Sequence, residues 1–160
     1  MKFTDKAGTR IDSNLNFVDL FLQLLNFDGI KYSEFNQRGS YKDILENKAG
    51  VYHFFSKSQS KVTSLYVGKG GFGKSGKWDL YKRLIQHRQP SQQDTIHGAI
   101  AKEFGVSNDT AIKFLSDGEI YIQFIVISNN YDPSEAHIEE VIKDLEDYCK
   151  CRLNPKYTDK

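Results

Sequence analysis

Residues 49–88 constrain the fold of this chain more than any other stretch, because two β-like runs, a glycine-rich segment and a basic amphipathic segment follow one another there. Residues 50–55 and 62–68 are rich in aromatic and β-branched side chains, and the polar sequence KSQSK separates them. Two such runs joined by a polar turn indicate a β-hairpin. Each strand of this hairpin carries one tyrosine, Tyr52 or Tyr66.

The sequence changes abruptly after Gly68, where KGGFGKSGK contributes four glycines and three lysines. Glycine lets the backbone bend or approach a ligand closely, and the lysines add positive charge. A helix is predicted to begin near residues 78–79. On this helix Arg83 and His87 are four residues apart, so they share one face.

Together these side chains form a set suited to phosphodiester chemistry. The spacing predicts that the two tyrosines meet Lys69, Arg83 and His87 at one edge of a small sheet. Arginine and lysine bind phosphate oxygens, and histidine or tyrosine transfers protons. The same residue types also have purely structural uses, since strand tyrosines commonly pack across strands and a single helical arginine is commonly solvated.

The net charge is only +1, so a nucleic-acid partner has to be argued from local charge. Residues 69–88 contain six lysines or arginines against one acid, whereas residues 132–147 contain seven acids against one lysine. A basic wall facing an acidic helix suits phosphate with a divalent cation, although two solvated faces would give the same pattern. The predicted DNA contacts are Lys74, Lys77, Lys82 and Arg88.

The order and spacing of three motifs resemble those of the GIY-YIG nuclease family, which includes phage homing endonucleases, some restriction enzymes and an excision-repair incision nuclease. The resemblance extends from residue 50 to residue 154. The motifs that carry it are Gly50-Val51-Tyr52, then Tyr66-Val67-Gly68-Lys69, then Leu80 with Arg83 and His87.

The resemblance implies a magnesium-dependent DNA endonuclease, with manganese as a substitute, that hydrolyses phosphodiester bonds with a single metal ion. Tyr52 would activate the attacking water, helped by His87 and Tyr66. Lys69 and Arg83 would hold the phosphate. A free phenol has a pKa near 10, so cationic neighbours and metal-bound water must favour the phenolate if it is to act as a base at neutral pH.

The resemblance also implies one metal-binding glutamate on a late helix, and an acidic helix is predicted to open at Ser134. Helical periodicity puts Glu139 and Glu146 at the edge of its apolar stripe. We therefore predict Glu139 as the metal ligand, with Glu146 and Glu135 as alternatives. Asn154 resembles the asparagine that closes the motif set, and a turn residue before proline would look the same.

Two other functions fit the sequence. Residues 68–75 match G-x-x-x-x-G-K-[ST], the nucleotide-binding P-loop, and they follow a strand as that motif should. This would indicate an ATP or GTP enzyme, although Gly76 interrupts the place where its helix should begin and the preceding strands form a hairpin. The third hypothesis is a catalytically inactive module that only binds nucleic acid.

The predicted architecture is an α/β (α+β) domain with a small, three-stranded, mainly antiparallel sheet flanked by helices. Residues 49–160 would form this domain, and residues 1–48 a helical N-terminal extension. Ile120–Ser128 is the predicted third strand. Further helices are predicted over 15–27, over 40–46, from an Asp94 cap to Glu103, and from an Asn108 or Asp109 cap to Leu115.

The sequence also predicts a cytoplasmic protein that does not enter a membrane. No apolar run approaches the ~18 residues of a membrane span, and the N-terminal segment lacks a signal-peptide pattern. The two cysteines, Cys149 and Cys151, are too close in sequence for an ordinary disulfide and have no partners at zinc spacing.

Overall fold

A computed structural model provides the fold and describes residues 17–35, 41–71, 78–92, 94–129 and 136–158. These residues form a mixed α/β structure around one antiparallel sheet. Residues 17–26 form helix α1. The elements that follow are β1 (Ile30–Lys31), a 3-10 turn (Tyr32–Glu34), α2 (Tyr41–Leu45), β2 (Lys48–Ser58), β3 (Lys61–Gly70), α3 (Leu80–Gln86), α4 (Ile96–Phe104), α5 (Asn108–Asp117), β4 (Ile120–Asn129) and α6 (Ala136–Leu153).

The sheet has the strand order β1-β4-β2-β3, and every neighbouring pair is antiparallel. The predicted hairpin is β2 and β3, and the predicted third strand is β4, which pairs with the other side of β2. The sheet has four strands instead of the predicted three, because Ile30–Lys31 pairs with Tyr121 and Ile122 of β4. A two-residue strand is too short to show the period-two alternation by which strands are recognised.

Alternation along β2 divides the sheet into two faces. Tyr52 and Phe54 lie on the face covered by α3, α4 and α5, which we call the α3 face. Val51 lies on the opposite face, covered by α1 and α6, which we call the α6 face. His53 is opposite Val67 in the register, so it also lies on the α6 face.

Residues of the predicted N-terminal extension contribute to both cores. Leu20 and Leu24 of α1 pack against the α6 face, and Tyr32 and Phe35 belong to the core of the α3 face. Each of these four side chains is buried. The described part of residues 1–48 is therefore packed into the same structure as the hairpin.

Two helix caps differ from the predicted ones by a residue or two. Thr95, rather than Asp94, caps α4 by accepting a hydrogen bond from the Gly98 amide, and Asp94 has a positive φ of 54°. Ser107, rather than Asn108 or Asp109, caps α5. Thr and Ser are strong N-cap residues, and each lies directly before the first helical residue.

Residues 156–158 run beside the outer edge of the sheet. The amides of Lys156 and Tyr157 donate to the carbonyls of Ser64 and Leu65 in β3, and the Val67 amide donates to the hydroxyl of Thr158. The tail therefore satisfies backbone groups on the strand edge that β2 leaves open. Within the described ranges, none of the helices has both the length and the hydrophobicity that a membrane span requires.

Candidate active site

Two glycines on the α3 face leave space for the side chain of Tyr52, the predicted catalytic tyrosine. Gly68 is directly opposite Tyr52 in the register, and a Cβ at position 68 would lie 2.3 Å from the Tyr52 phenol oxygen. A Cβ at Gly70 would lie 2.8 Å from the backbone of Leu80, where α3 begins. The glycines therefore let the Tyr52 ring cross β3 and let α3 approach the sheet closely.

The start of α3 is fixed by Asp79. One carboxylate oxygen accepts from the Lys82 amide at 2.7 Å, and the other accepts from the Asn47 amide at 2.9 Å. This N-cap joins α3 to the turn before β2. It sets the position of the helix that carries Arg83 and leads into His87.

His87 contacts the phenol of Tyr52 through a defined hydrogen bond. Its Nε2 is 2.8 Å from the Tyr52 oxygen, and its Nδ1 accepts from the Ile96 amide at 3.0 Å. Burial lowers the pKa of His87 well below its usual value, and the charge of Arg83 lowers it further. The ring is therefore neutral at pH 7 with its proton on Nε2, so His87 donates to Tyr52.

A second buried histidine supports this arrangement. His97 Nδ1 donates to the His87 carbonyl at 2.6 Å, and its Nε2 lies 3.1 Å from the Thr95 hydroxyl. No role for His97 was predicted from the sequence. The Thr-x-His pattern at the start of α4 is the signal that could have pointed to this role.

Tyr66 joins the same cluster from β3. Its ring stacks on Tyr52 with a centroid distance of 6.3 Å and an interplanar angle of 17°, and it meets His87 edge-on at 5.0 Å. Its hydroxyl donates to the Asp94 carbonyl at 3.2 Å. The structure therefore brings together three of the predicted site residues, Tyr52, Tyr66 and His87.

The charges around Tyr52 define which other groups belong to the site. Burial raises the pKa of Tyr52 well above its usual value, and Tyr66 and the Glu146 carboxylate raise it further. Arg83 lowers the same pKa through its charge and through a hydrogen bond. Since the Tyr52 side chain is 0% exposed, the phenol is neutral at pH 7.

Glu146 is thus the predicted metal-ligand candidate whose charge acts on Tyr52. Its side chain is 13% exposed and pairs with Lys150 at 3.4 Å. Glu139 is half-buried in the first turn of α6, and Glu135 lies outside the described residues. In the part of the chain that the structure describes, no three His, Cys, Asp or Glu side chains gather into a metal-binding cluster.

Two of the predicted catalytic residues lie away from this cluster. Lys69 is opposite Val51 in the register, which puts its side chain on the α6 face and not beside Tyr52. Asn154 has a positive φ of 46°, and its amide donates to the Lys150 carbonyl, so it ends α6 as a left-handed C-cap. Its side chain is exposed.

The predicted DNA contacts are found in different environments. Lys82 is exposed on α3. Arg88 packs inward instead, with its guanidinium 4.1 Å from the Tyr32 ring centroid and a hydrogen bond to the Tyr32 carbonyl. Lys74 and Lys77 lie outside the described residues.

The P-loop pattern begins inside a strand. Residues 68–70 belong to β3, whose ladder partner is the antiparallel β2, and the following helix begins at Leu80. Residues 72–77 are outside the described part. A phosphate-binding P-loop needs free backbone amides after the strand, so pairing of these first glycines weighs against that function.

Comparisons with protein-family models, with curated proteins and with solved structures find no match to this chain. The chemistry of the cluster is therefore the basis for assigning a function. A neutral phenol that accepts from an imidazole, and whose pKa depends on the charges of Arg83 and Glu146, is suited to proton transfer next to an anionic group.

Proposed function

We propose that this protein is a metal-dependent DNA endonuclease that hydrolyses phosphodiester bonds, as its resemblance to the GIY-YIG family implies. The supporting observation is the hydrogen bond from His87 Nε2 to the Tyr52 phenol oxygen at 2.8 Å. Arg83 acts on the same oxygen and lowers its pKa. The charge of Arg83 favours the phenolate, whereas burial holds the pKa of Tyr52 well above its usual value.

In this proposal Tyr52 is the proton acceptor and His87 is a hydrogen-bond donor. The His87 ring cannot use Nδ1 as a base, because that atom accepts from the Ile96 amide. Tyr52 first loses its phenol proton to solvent, a step that the charge of Arg83 favours and burial opposes. The phenolate then removes a proton from the attacking water, the water oxygen bonds to phosphorus, and the ester P–O bond breaks. Arg83 binds a non-bridging phosphate oxygen, and solvent protonates the leaving oxygen.

The proposed metal ion would be magnesium, or manganese in its place. Magnesium in nuclease-like sites is held by one or two carboxylates together with phosphate oxygens and water, so the single Glu146 carboxylate fits it. Glu146 is preferred to Glu139 because its charge acts on Tyr52. When bound, the ion would supply positive charge to the phosphate and to the departing oxygen.

Access to the phenol is part of the proposal, because Tyr52 is fully buried. Arg83 is half-buried, and its guanidinium donates to the side chain of Gln86. We propose that a phosphodiester draws the guanidinium away from Gln86 and thereby reaches Tyr52. Long arginine side chains rearrange at small cost compared with the helix that carries them.

The test is cleavage of supercoiled plasmid with magnesium, with manganese and with EDTA. We expect metal-dependent nicking that falls about 100-fold or more in Tyr52→Phe, because a positioned proton acceptor contributes 10²–10⁴-fold. Glu146→Gln should lose activity, while Glu140→Gln, an exposed change on the same helix, is the control. Full activity in both Tyr52→Phe and Arg83→Ala would refute the mechanism.

Burial of Tyr52 with a raised pKa gives support to the second candidate function, an inactive nucleic-acid-binding module. The discriminating measurement is fluorescence anisotropy of labelled DNA in EDTA, followed by addition of magnesium. Retained DNA affinity without cleavage would select this function. Tight binding of ATP or GTP without DNA affinity would select the P-loop hypothesis instead.

A further inference from the structure

A second polar cluster lies on the α6 face, on the side of the sheet away from Tyr52. The Ser64 hydroxyl is 2.7 Å from His53 Nε2, and His53 Nδ1 is 2.9 Å from the Gln123 side-chain oxygen. His53 and Gln123 are buried, and Ser64 is partly exposed. The proposed nuclease mechanism uses none of these three residues.

Hydrogen bonds that Gln123 donates to α1 and the residue after it fix the orientation of its side-chain amide. The Gln123 amide nitrogen donates to the carbonyls of Leu25 at 3.2 Å and Phe27 at 2.6 Å, so its oxygen faces His53. That oxygen only accepts, so the imidazole proton is on Nδ1 and Nε2 accepts from the Ser64 hydroxyl. Burial lowers the pKa of His53, which keeps Nε2 free to accept a proton at neutral pH.

The hydrogen bonds connect Ser64 to His53 and His53 to Gln123, as they connect a nucleophile, a base and a group that orients the base. The strand carrying Ser64 is irregular at this point, because the register of β2 and β3 shifts between Phe54 and Phe55. A β-bulge of this kind re-aims side chains and is common beside active sites.

The cluster opens into a cavity of about 450 Å³. This volume is in the range of small-molecule sites. Two cationic side chains, Lys57 and Arg152, line the cavity with one acid, Asp28. The Lys57 ammonium lies 4.6 Å from the Tyr121 ring centroid, which holds it on this side of the sheet. The charges favour a ligand with a carboxylate or another anionic group.

We propose that Ser64, His53 and Gln123 form an acyl-transfer site for small esters that carry a carboxylate. The Ser64 oxygen attacks the ester carbonyl, its proton moves to His53 Nε2, and the ester C–O bond breaks. His53 then protonates the departing alcohol. Water hydrolyses the acyl-serine by the reverse proton path, which releases the acid and restores Ser64.

The first test is labelling with a fluorophosphonate, in which a Ser64 O–P bond forms and fluoride leaves. Intact-mass spectrometry at pH 8 should show one adduct, and peptide mapping of the wild-type adduct should place it on Ser64 without use of any variant. Ser60→Ala, an exposed turn serine, should label at the wild-type rate. No adduct, or one mapped elsewhere, would overturn the proposal.

The second test separates a reactive serine from a merely buried hydrogen bond. Gln123→Met keeps the side-chain length but no longer orients His53, so the labelling rate should fall about 100-fold. The p-nitrophenyl monoester of succinate should be hydrolysed at least about tenfold faster than p-nitrophenyl butyrate, and Arg152→Ala should remove that preference. Equal rates for both esters in wild type would refute the anionic specificity, and unchanged labelling in Gln123→Met would refute the triad.

Discussion

The phenol oxygen of Tyr52 occupies the space that a side chain at Gly68 would fill, since a Cβ there would lie 2.3 Å from that oxygen. The two residues face each other across β2 and β3. The glycine of the second motif is thus a packing requirement of the tyrosine in the first. This pairing joins the two short motifs within one hairpin.

Gly68→Ala should therefore destabilise the protein by about 1–3 kcal/mol, as overpacking of a filled core does. Chemical denaturation would measure this change in unfolding free energy. The cost should be much smaller in a Tyr52→Leu background, which removes the clashing ring. Equal costs in the two backgrounds would show that Gly68 is required for a different reason.

Arg88 is expected to support the fold more than DNA binding. Its guanidinium contacts the Tyr32 ring and carbonyl, so Arg88→Ala should cost about 2 kcal/mol of stability. Lys82→Ala, an exposed change on the neighbouring helix, should alter stability by less than about 0.5 kcal/mol. Thermal unfolding of both variants tests the contrast, and equal stability would contradict the inward packing.

DNA affinity provides the complementary measurement for the same two variants. If the proposed DNA partner is correct, Lys82→Ala should reduce the salt dependence of binding by about one unit of slope. Arg88→Ala, at a temperature where it is folded, should leave the slope close to that of wild type. If Arg88→Ala reduced the salt dependence of binding more than Lys82→Ala does, Arg88 would be a DNA contact as predicted from the sequence.

The stability of the protein should decrease as the pH falls below about 6.5. Burial lowers the pKa values of His87 and His53, so both rings stay neutral in the folded state while the unfolded chain takes up protons. Each group then removes up to about 1.4 kcal/mol per pH unit between its unfolded and folded pKa values. Wild type and the double variant His53→Gln/His87→Gln should therefore differ less in unfolding free energy at pH 5 than at pH 7.5. A difference independent of pH would contradict the neutral, buried histidines.

The two cysteines should differ sharply in reactivity. Cys149 is buried in α6, and burial with the nearby Glu146 charge raises the pKa of its thiol to about 12, whereas Cys151 is exposed. A thiol reagent at pH 8 should modify one cysteine per native chain and two in denaturant. Rapid modification of both in native protein would mean that α6 does not pack on the sheet as described.

The elements that the sequence predicts best are those whose structure is determined by local patterns. The hairpin follows from its two β-branched runs, and its strands extend further than predicted because Lys57 and Ser58 pair with Val62 and Lys61. The spacing also predicted that the tyrosines, Lys69, Arg83 and His87 meet at one edge of the sheet, and Tyr52 does contact His87 there.

Lys69 shows why proximity in sequence was misleading. It is three residues after Tyr66, so the period-two alternation of a strand puts these two side chains on opposite faces. The sequence could not decide between Glu139 and Glu146 as the metal ligand for a different reason. These residues are seven positions apart and share one side of α6, so only the placement of the helix along the sheet decides whose charge acts on Tyr52.

The tail of residues 156–158 also determines how the sheet meets other molecules. A bare outer strand is a template on which a second chain can add its own strand and begin a growing assembly. In this protein the amides of Lys156 and Tyr157 donate hydrogen bonds to the Ser64 and Leu65 carbonyls along the outer edge of β3. The hairpin that carries the tyrosines is therefore shielded from lateral growth by a short segment after the last helix, and removing that segment would open β3 to association between copies.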